Sequence, residues 1–167
     1  MYKMGEVFKI SGANFSECGT YRYSLFRTWD TKLPKAMCIG LNPSTASAVK
    51  NDPTITNLAA MLKRLGYGGF YMMNLFAIIS PKPEVILTCS DPIGENEKHL
   101  ELVSRICQDV IFCWGNFKQA EKRILEVAPR YPNAKCFGKN KNGTPCHPLA
   151  MMYAGTVKTA KLEKYFV

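Results

Sequence analysis

No C-x-x-C pair occurs among the seven cysteines of this 167-residue chain, and their odd number fits no closed set of disulfides. Metal-thiolate and iron–sulfur ligation lack their usual spacing, and a secreted disulfide scaffold is disfavoured. Cys38 and Cys113 stand inside apolar runs, so they read as small core residues kept in a reducing compartment. No apolar run approaches the roughly 20 residues that cross a bilayer. Met1-Tyr2-Lys3-Met4-Gly5 also lacks the apolar stretch of a secretion signal. The expectation is a cytosolic protein without cofactor or membrane contact. Repeats, low-complexity tracts and linkers are missing too, which predicts a single domain over 1–167.

Acid is the scarcer charge. Against 22 Lys and Arg stand 13 Asp and Glu, a net charge of +9, while 47% hydrophobic residues supply a sizeable core. The excess is uneven. Residues 130–167 hold seven basic side chains and one acid, whereas 84–109 hold six acids and two bases, Lys98 and Arg105. A polarised basic chain favours a polyanionic partner, DNA or a nucleotide, although lysines that merely solvate a surface would give the same count. No motif sets the oligomeric state.

The hydrophobic rhythm predicts an α/β protein. Residues 6–10 and 21–29, rich in aromatic and β-branched side chains and separated by a turn from Ser11-Gly12-Ala13-Asn14 onward, predict an N-terminal strand pair beside the main sheet. From Ala36 on, short apolar strands (36–41, 69–75, 109–114, 134–138) alternate with helical stretches (54–65, 94–107, 116–128). This pattern predicts a three-layer α/β/α sandwich around a mainly parallel four-stranded sheet. Asp52-Pro53 and Asp91-Pro92 mark the starts of the first two helices, and 138–148 is the one long, basic loop.

Polar groups sit where these strands end. Gly40-Leu41-Asn42-Pro43-Ser44 follows the first core strand and would bring an amide and backbone N–H groups to the sheet rim, where open α/β folds bind ligands. By itself the string is also an ordinary strand-end turn. Asn74 closes the second strand, Trp114-Gly115 the third, and Cys146-His147-Pro148-Leu149 follows the last. Trp114 reads first as core and second as a pocket wall. Asp52 reads as a helix cap, with a role in activating water left open.

In this order and spacing the four segments resemble the uracil-DNA glycosylase superfamily, from about residue 36 to 149. The resemblance rests on Gly40-Leu41-Asn42-Pro43, Asn74, Trp114-Gly115 with Ala120 and Lys122 nearby, and His147-Pro148. The chain is also similar to a narrower family, domain of unknown function 1643. The shared segments are Leu41-Asn42-Pro43-Ser44-Thr45-Ala46, Asp52-Pro53-Thr54, Asn74-Leu75-Phe76-Ala77, Trp114-Gly115 and His147-Pro148-Leu149.

The superfamily implies a glycosylase hydrolysing the N-glycosidic bond of a modified or mismatched pyrimidine in DNA. That reaction makes an oxocarbenium-like sugar and an anionic base, so it needs a held water on one side and a donor to the base on the other. The expected catalytic residues are Asn42, holding water, and His147, donating to the departing base. Asn74, with Leu41 and Trp114 as walls, would read the base swung out of the helix. Ser44, Thr45, Lys139 and Lys141 would take phosphate. Departures are visible. Asn42 stands where the most active members carry Asp, Ser44 where the uracil-specific branch carries a bulky Tyr, and Leu149-Ala150-Met151-Met152-Tyr153 where a Ser-rich wedge is usual. A binding module that has lost hydrolysis, or an enzyme of free nucleotides, is the alternative.

Overall fold

The structure is a computed structural model and describes residues 8–167. In chain order the described elements are β1 (Ile10–Phe15), β2 (Arg22–Thr28), β3 (Lys35–Gly40), α1 (Pro53–Arg64), β4 (Gly69–Asn74), α2 (Val85–Thr88) and α3 (Asn96–Ser104). They continue with β5 (Asp109–Phe112), α4 (Glu121–Val127), β6 (Lys135–Cys136), α5 (Pro148–Tyr153) and β7 (Glu163–Lys164). The strands form one sheet in the order β1-β2-β4-β3-β5-β6-β7.

The sheet has seven strands and is mixed, which corrects the expectation of four mainly parallel ones. The four predicted core strands are β3, β4, β5 and β6, and they do run parallel side by side, with Ala36 opposite Phe70 and Cys38 opposite Ile111. Antiparallel strands extend this block on both sides. The N-terminal pair is hydrogen-bonded into the sheet rather than packed beside it, through Leu25 opposite Met72 and Phe26 opposite Tyr71. At the other edge the two residues of β7 pair with β6, a segment too short to leave a periodic signal.

The first strand is also displaced from its predicted place. Part of the 6–10 segment lies outside the described residues, and the supposed turn residues Ser11 to Asn14 are the ladder of β1. Gly12 serves a side-chain need there: a Cβ would fall 2.3 Å from Cζ of Phe26, so glycine lets that ring lie on the strand. The second predicted cap moves too. Asp91 accepts from the N–H groups of Ile93 and Gly94 and closes a turn, and α3 begins only at Asn96.

Alternation along β3 explains the layers. Ala36 and Cys38 face Ile55, Leu58 and Leu62 of α1 and Met151 of α5, while Met37 and Ile39 face Leu100 and Val103 of α3 and Val127 of α4. A strand buried on both faces must be apolar throughout, as a central parallel strand requires. Asp52 caps α1 by accepting from the Ile55 N–H at 2.9 Å, and the helix closes at Gly66, whose φ of 89° suits glycine.

All seven cysteines carry free thiols, and burial pushes Cys113 up to about 12. No helix among the described residues is long and apolar enough to cross a membrane, and no group of three or more His, Cys, Asp or Glu there could hold a metal ion.

The charged residue most deeply committed to the fold is Arg27 in β2, fully buried. Its guanidinium donates to Asn51 Oδ1 at 2.8 Å and to the carbonyls of Ser47, Ala48 and Phe26 at 2.7, 2.9 and 2.9 Å, and burial holds its pKa below the usual arginine range. It thereby fastens the loop that follows β3. Arg27→Met is expected to cost about 3 kcal/mol, the scale of several lost hydrogen bonds to a buried cation, read as a lower urea midpoint. A loss below about 1 kcal/mol would contradict this tethering role.

Candidate functional site

The carboxyl ends of β3, β4 and β5, the start of α1 and the 147–149 segment surround a cavity of about 420 Å³. Parallel strands all present their ends to the same rim, so residues far apart in sequence meet there. Leu41, Asn42, Ser44, Thr45, Asp52, Asn74, Trp114 and His147 all line the cavity. Lys139 and Lys141 do not. The Lys139 ammonium lies over the Tyr165 ring at 5.6 Å, and Lys141 is exposed at the tip of its loop.

Asn42 is oriented by its donor side. Its Nδ2 donates to the carbonyls of Pro43 at 3.1 Å and Ser80 at 3.0 Å, with Ile78 at 3.5 Å. These contacts tie the 78–80 segment to the end of β3, and they explain an amide here rather than a carboxylate, which carbonyls would repel. Oδ1 is the atom left to serve a ligand or a water.

Asn74 is 2% exposed, and its Nδ2 has no partner. Its backbone is clamped from behind: the fully buried Asn96 of α3 donates to the Asn74 carbonyl at 2.8 Å, and Arg123 Nε donates to the Leu75 carbonyl at 2.8 Å. In front, Gly40 makes room, because a Cβ there would stand 2.9 Å from Asn74 Oδ1 and 2.5 Å from Met72 Cε. Trp114, also 2% exposed, has an indole N–H without a partner. A buried donor left unpaired costs about 1–3 kcal/mol, and both of these belong to residues that line the one cavity.

His147 is the N-cap of α5. Its Nδ1 accepts from the Leu149 N–H at 3.1 Å, which puts the proton of the neutral ring on Nε2. Burial lowers its pKa, and the Asp52 carboxylate opposes that shift. Gly115, at φ 78°, packs beneath it: a Cβ there would lie 3.2 Å from His147 Cβ. The imidazole therefore offers the cavity a neutral N–H donor.

One charged lining residue escaped the sequence reading. Arg22, at the first position of β2, is 4% exposed and donates through one terminal nitrogen to the Ala46 carbonyl, while its Nε has no partner. Burial lowers its pKa to about 10, so it remains a cation at neutral pH. The available signal was a charge between two tyrosines in an otherwise buried strand, Tyr21-Arg22-Tyr23.

The profile of the family described as "Protein of unknown function (DUF1643)" matches residues 22–149, more than half of the chain, and its ends fall on two cavity-lining residues. No curated protein and no solved structure matches.

Because folded His147 holds its proton less tightly than the unfolded chain does, the stability it lends at neutral pH is lost as pH falls from about 6.5 through its lower folded value. In an NMR titration the His147 ring is expected to ionise below 6.5, and the Leu149 amide to shift with it as Nδ1 ceases to accept. Ionisation at or above 6.5 with an unresponsive Leu149 would refute the capped, neutral imidazole.

Proposed function

We propose, for a chain that belongs to the DUF1643 family, an N-glycosidic hydrolase of the uracil-DNA glycosylase type that takes a modified or mismatched pyrimidine nucleotide into the strand-end cavity. The observation that carries this reading is the pair of buried, unpartnered donors, Asn74 Nδ2 and Trp114 Nε1, on residues that line the same cavity as His147, whose neutral ring carries its proton on Nε2. A pyrimidine edge carries carbonyl oxygens on both sides of a ring N–H. An amide answers such an edge with one donor and one acceptor, and the indole and imidazole add donors for the remaining oxygens.

The chemistry follows from this placement. As the C1′–N bond breaks, its electron pair leaves with the base, and charge grows on the base oxygen that His147 Nε2–H supports. Water adds its oxygen to C1′ and gives up a proton, which the departing base finally carries. Asn42 Oδ1 holds that water. Asp52, which spends Oδ1 on the Ile55 N–H, keeps Oδ2 to accept from it. A cavity of about 420 Å³ has room for one nucleotide and little more.

DNA is the substrate form suggested by the resemblance and by the basic composition. One observation favours the second form, a free nucleotide: Lys139 and Lys141, the expected backbone contacts, stand away from the cavity.

The test is base release, read by mass spectrometry, from a panel of pyrimidine oligonucleotides and mononucleotides. His147→Asn keeps a good helix cap and removes the Nε2–H, so it is expected to slow release by about 100-fold or more, the scale of one lost oxyanion donor. Equal rates in wild type and His147→Asn would remove His147 from the chemistry.

A further inference from the structure

We infer that the cavity contains a separate anion subsite, built on Arg22, that takes the terminal phosphate of a nucleotide. The inference rests on the nucleotide reading above, but a different residue carries it.

Arg22 is the one buried cation on the cavity wall among the described residues. A buried guanidinium with an unpartnered Nε–H is an expensive feature unless an anion completes it. Among the described residues no carboxylate pairs with it. Asp52 is near enough to raise the Arg22 pKa, yet it forms no ion pair with it and is turned to cap α1. Arg27, the neighbouring arginine on the same strand, shows the contrast. Its Nε and both terminal nitrogens are satisfied by protein oxygens, so it has nothing left to offer a ligand.

The surroundings select phosphate over carboxylate. Ser44, Thr45 and Thr54 line the same cavity, and among the described residues none of their hydroxyls is engaged within the protein. One guanidinium and three free hydroxyls suit the several oxygens of a phosphate better than the two of a carboxylate. The helix dipole of α1 is not the source of this site, because the Asp52 carboxylate already occupies its first turn.

Burial also decides which phosphate. Arg22 is 4% exposed and the cavity holds about one nucleotide. A phosphate in mid-strand is tethered through two ester oxygens and offers two non-bridging ones, whereas a phosphate monoester is tethered once and offers three with more charge. The monoester therefore suits a recessed guanidinium better, and the substrate class is a nucleoside monophosphate or a nucleotide at a phosphorylated strand end.

The experiment is calorimetric titration of the full chain at pH 7 with deoxyuridine, deoxyuridine 5′-monophosphate and a short oligonucleotide that has no terminal phosphate. The monophosphate is expected to bind at least about tenfold tighter than the nucleoside, the scale of one charge-assisted hydrogen bond. Its advantage over the nucleoside is expected to vanish in Arg22→Gln and to shrink in Arg22→Lys. Should Arg22→Gln fail to fold once the Ala46 contact is lost, the wild-type Arg22 Nε–H resonance carries the test. It is expected to move on addition of inorganic phosphate and to stay still in chloride of equal ionic strength. Equal affinity for nucleoside and monophosphate, an advantage that survives Arg22→Gln, an oligonucleotide that outcompetes the monophosphate, or an Nε–H indifferent to phosphate would each overturn the subsite. Arg22-dependent phosphate binding without base release would leave the subsite standing and remove the hydrolase. Base release indifferent to phosphate would do the reverse.

Discussion

Two arginines on one antiparallel strand hold the loop on which the cavity depends. Arg27 donates into the carbonyls of residues 47 and 48 and the side chain of Asn51, and Arg22 donates to the carbonyl of residue 46. Without them the segment from β3 to α1 would carry a run of inward-facing carbonyls near the sheet with no donors. With them it is fixed before any ligand arrives, so Ser44, Thr45 and Asp52 are delivered at a set height above the strand ends. Preorganisation of this kind is what lets a site spend binding energy on the ligand instead of on ordering itself.

The polar accounting of the interior points to the same place. Six buried side-chain atoms among the described residues lack a partner, and three of them, on Arg22, Asn74 and Trp114, lie on residues that line one cavity. All three are donors. The other three are Asn57 Nδ2, Asn96 Oδ1 and Arg123 Nη2, away from the lining, although Asn96 and Arg123 each donate through another nitrogen to the backbone at the end of β4. Three unpaired donors gathered on the residues of a single cavity suit an acceptor-rich guest.

Much of this was legible in the sequence because it is local or periodic. Strands β3, β4 and β5 announce themselves as apolar runs, α1 by its Asp-Pro start and its Leu and Met spacing, and the strand-end residues by following those runs. Their convergence then follows from parallel topology, which brings Asn42, Asn74, Trp114 and His147 to one rim. What was hidden depends on tertiary partners. Gly12 looked like a turn until Phe26 was seen lying across it, and Asp91 looked like a helix cap although its acceptor serves a turn before α3. Nearness in sequence to His147 suggested Lys139 and Lys141, but sequence distance says nothing of direction, and Lys139 turns to Tyr165. Arg22 lay in a strand read only as structure, and the cavity reaches it because β2 is hydrogen-bonded into the sheet beside β4.

The central claim is that the unpaired donors of Asn74 and Trp114 await the acceptors of a nucleobase. The measurement that bears on it most directly is a nitrogen–proton NMR spectrum recorded while a pyrimidine nucleotide is added. The account expects the Trp114 indole N–H and the Asn74 side-chain amide to move together and saturably, with the Nδ2 protons shifting downfield as they acquire a partner. If both resonances stay in place while the nucleotide binds elsewhere or not at all, the cavity is not a base site and the account is wrong.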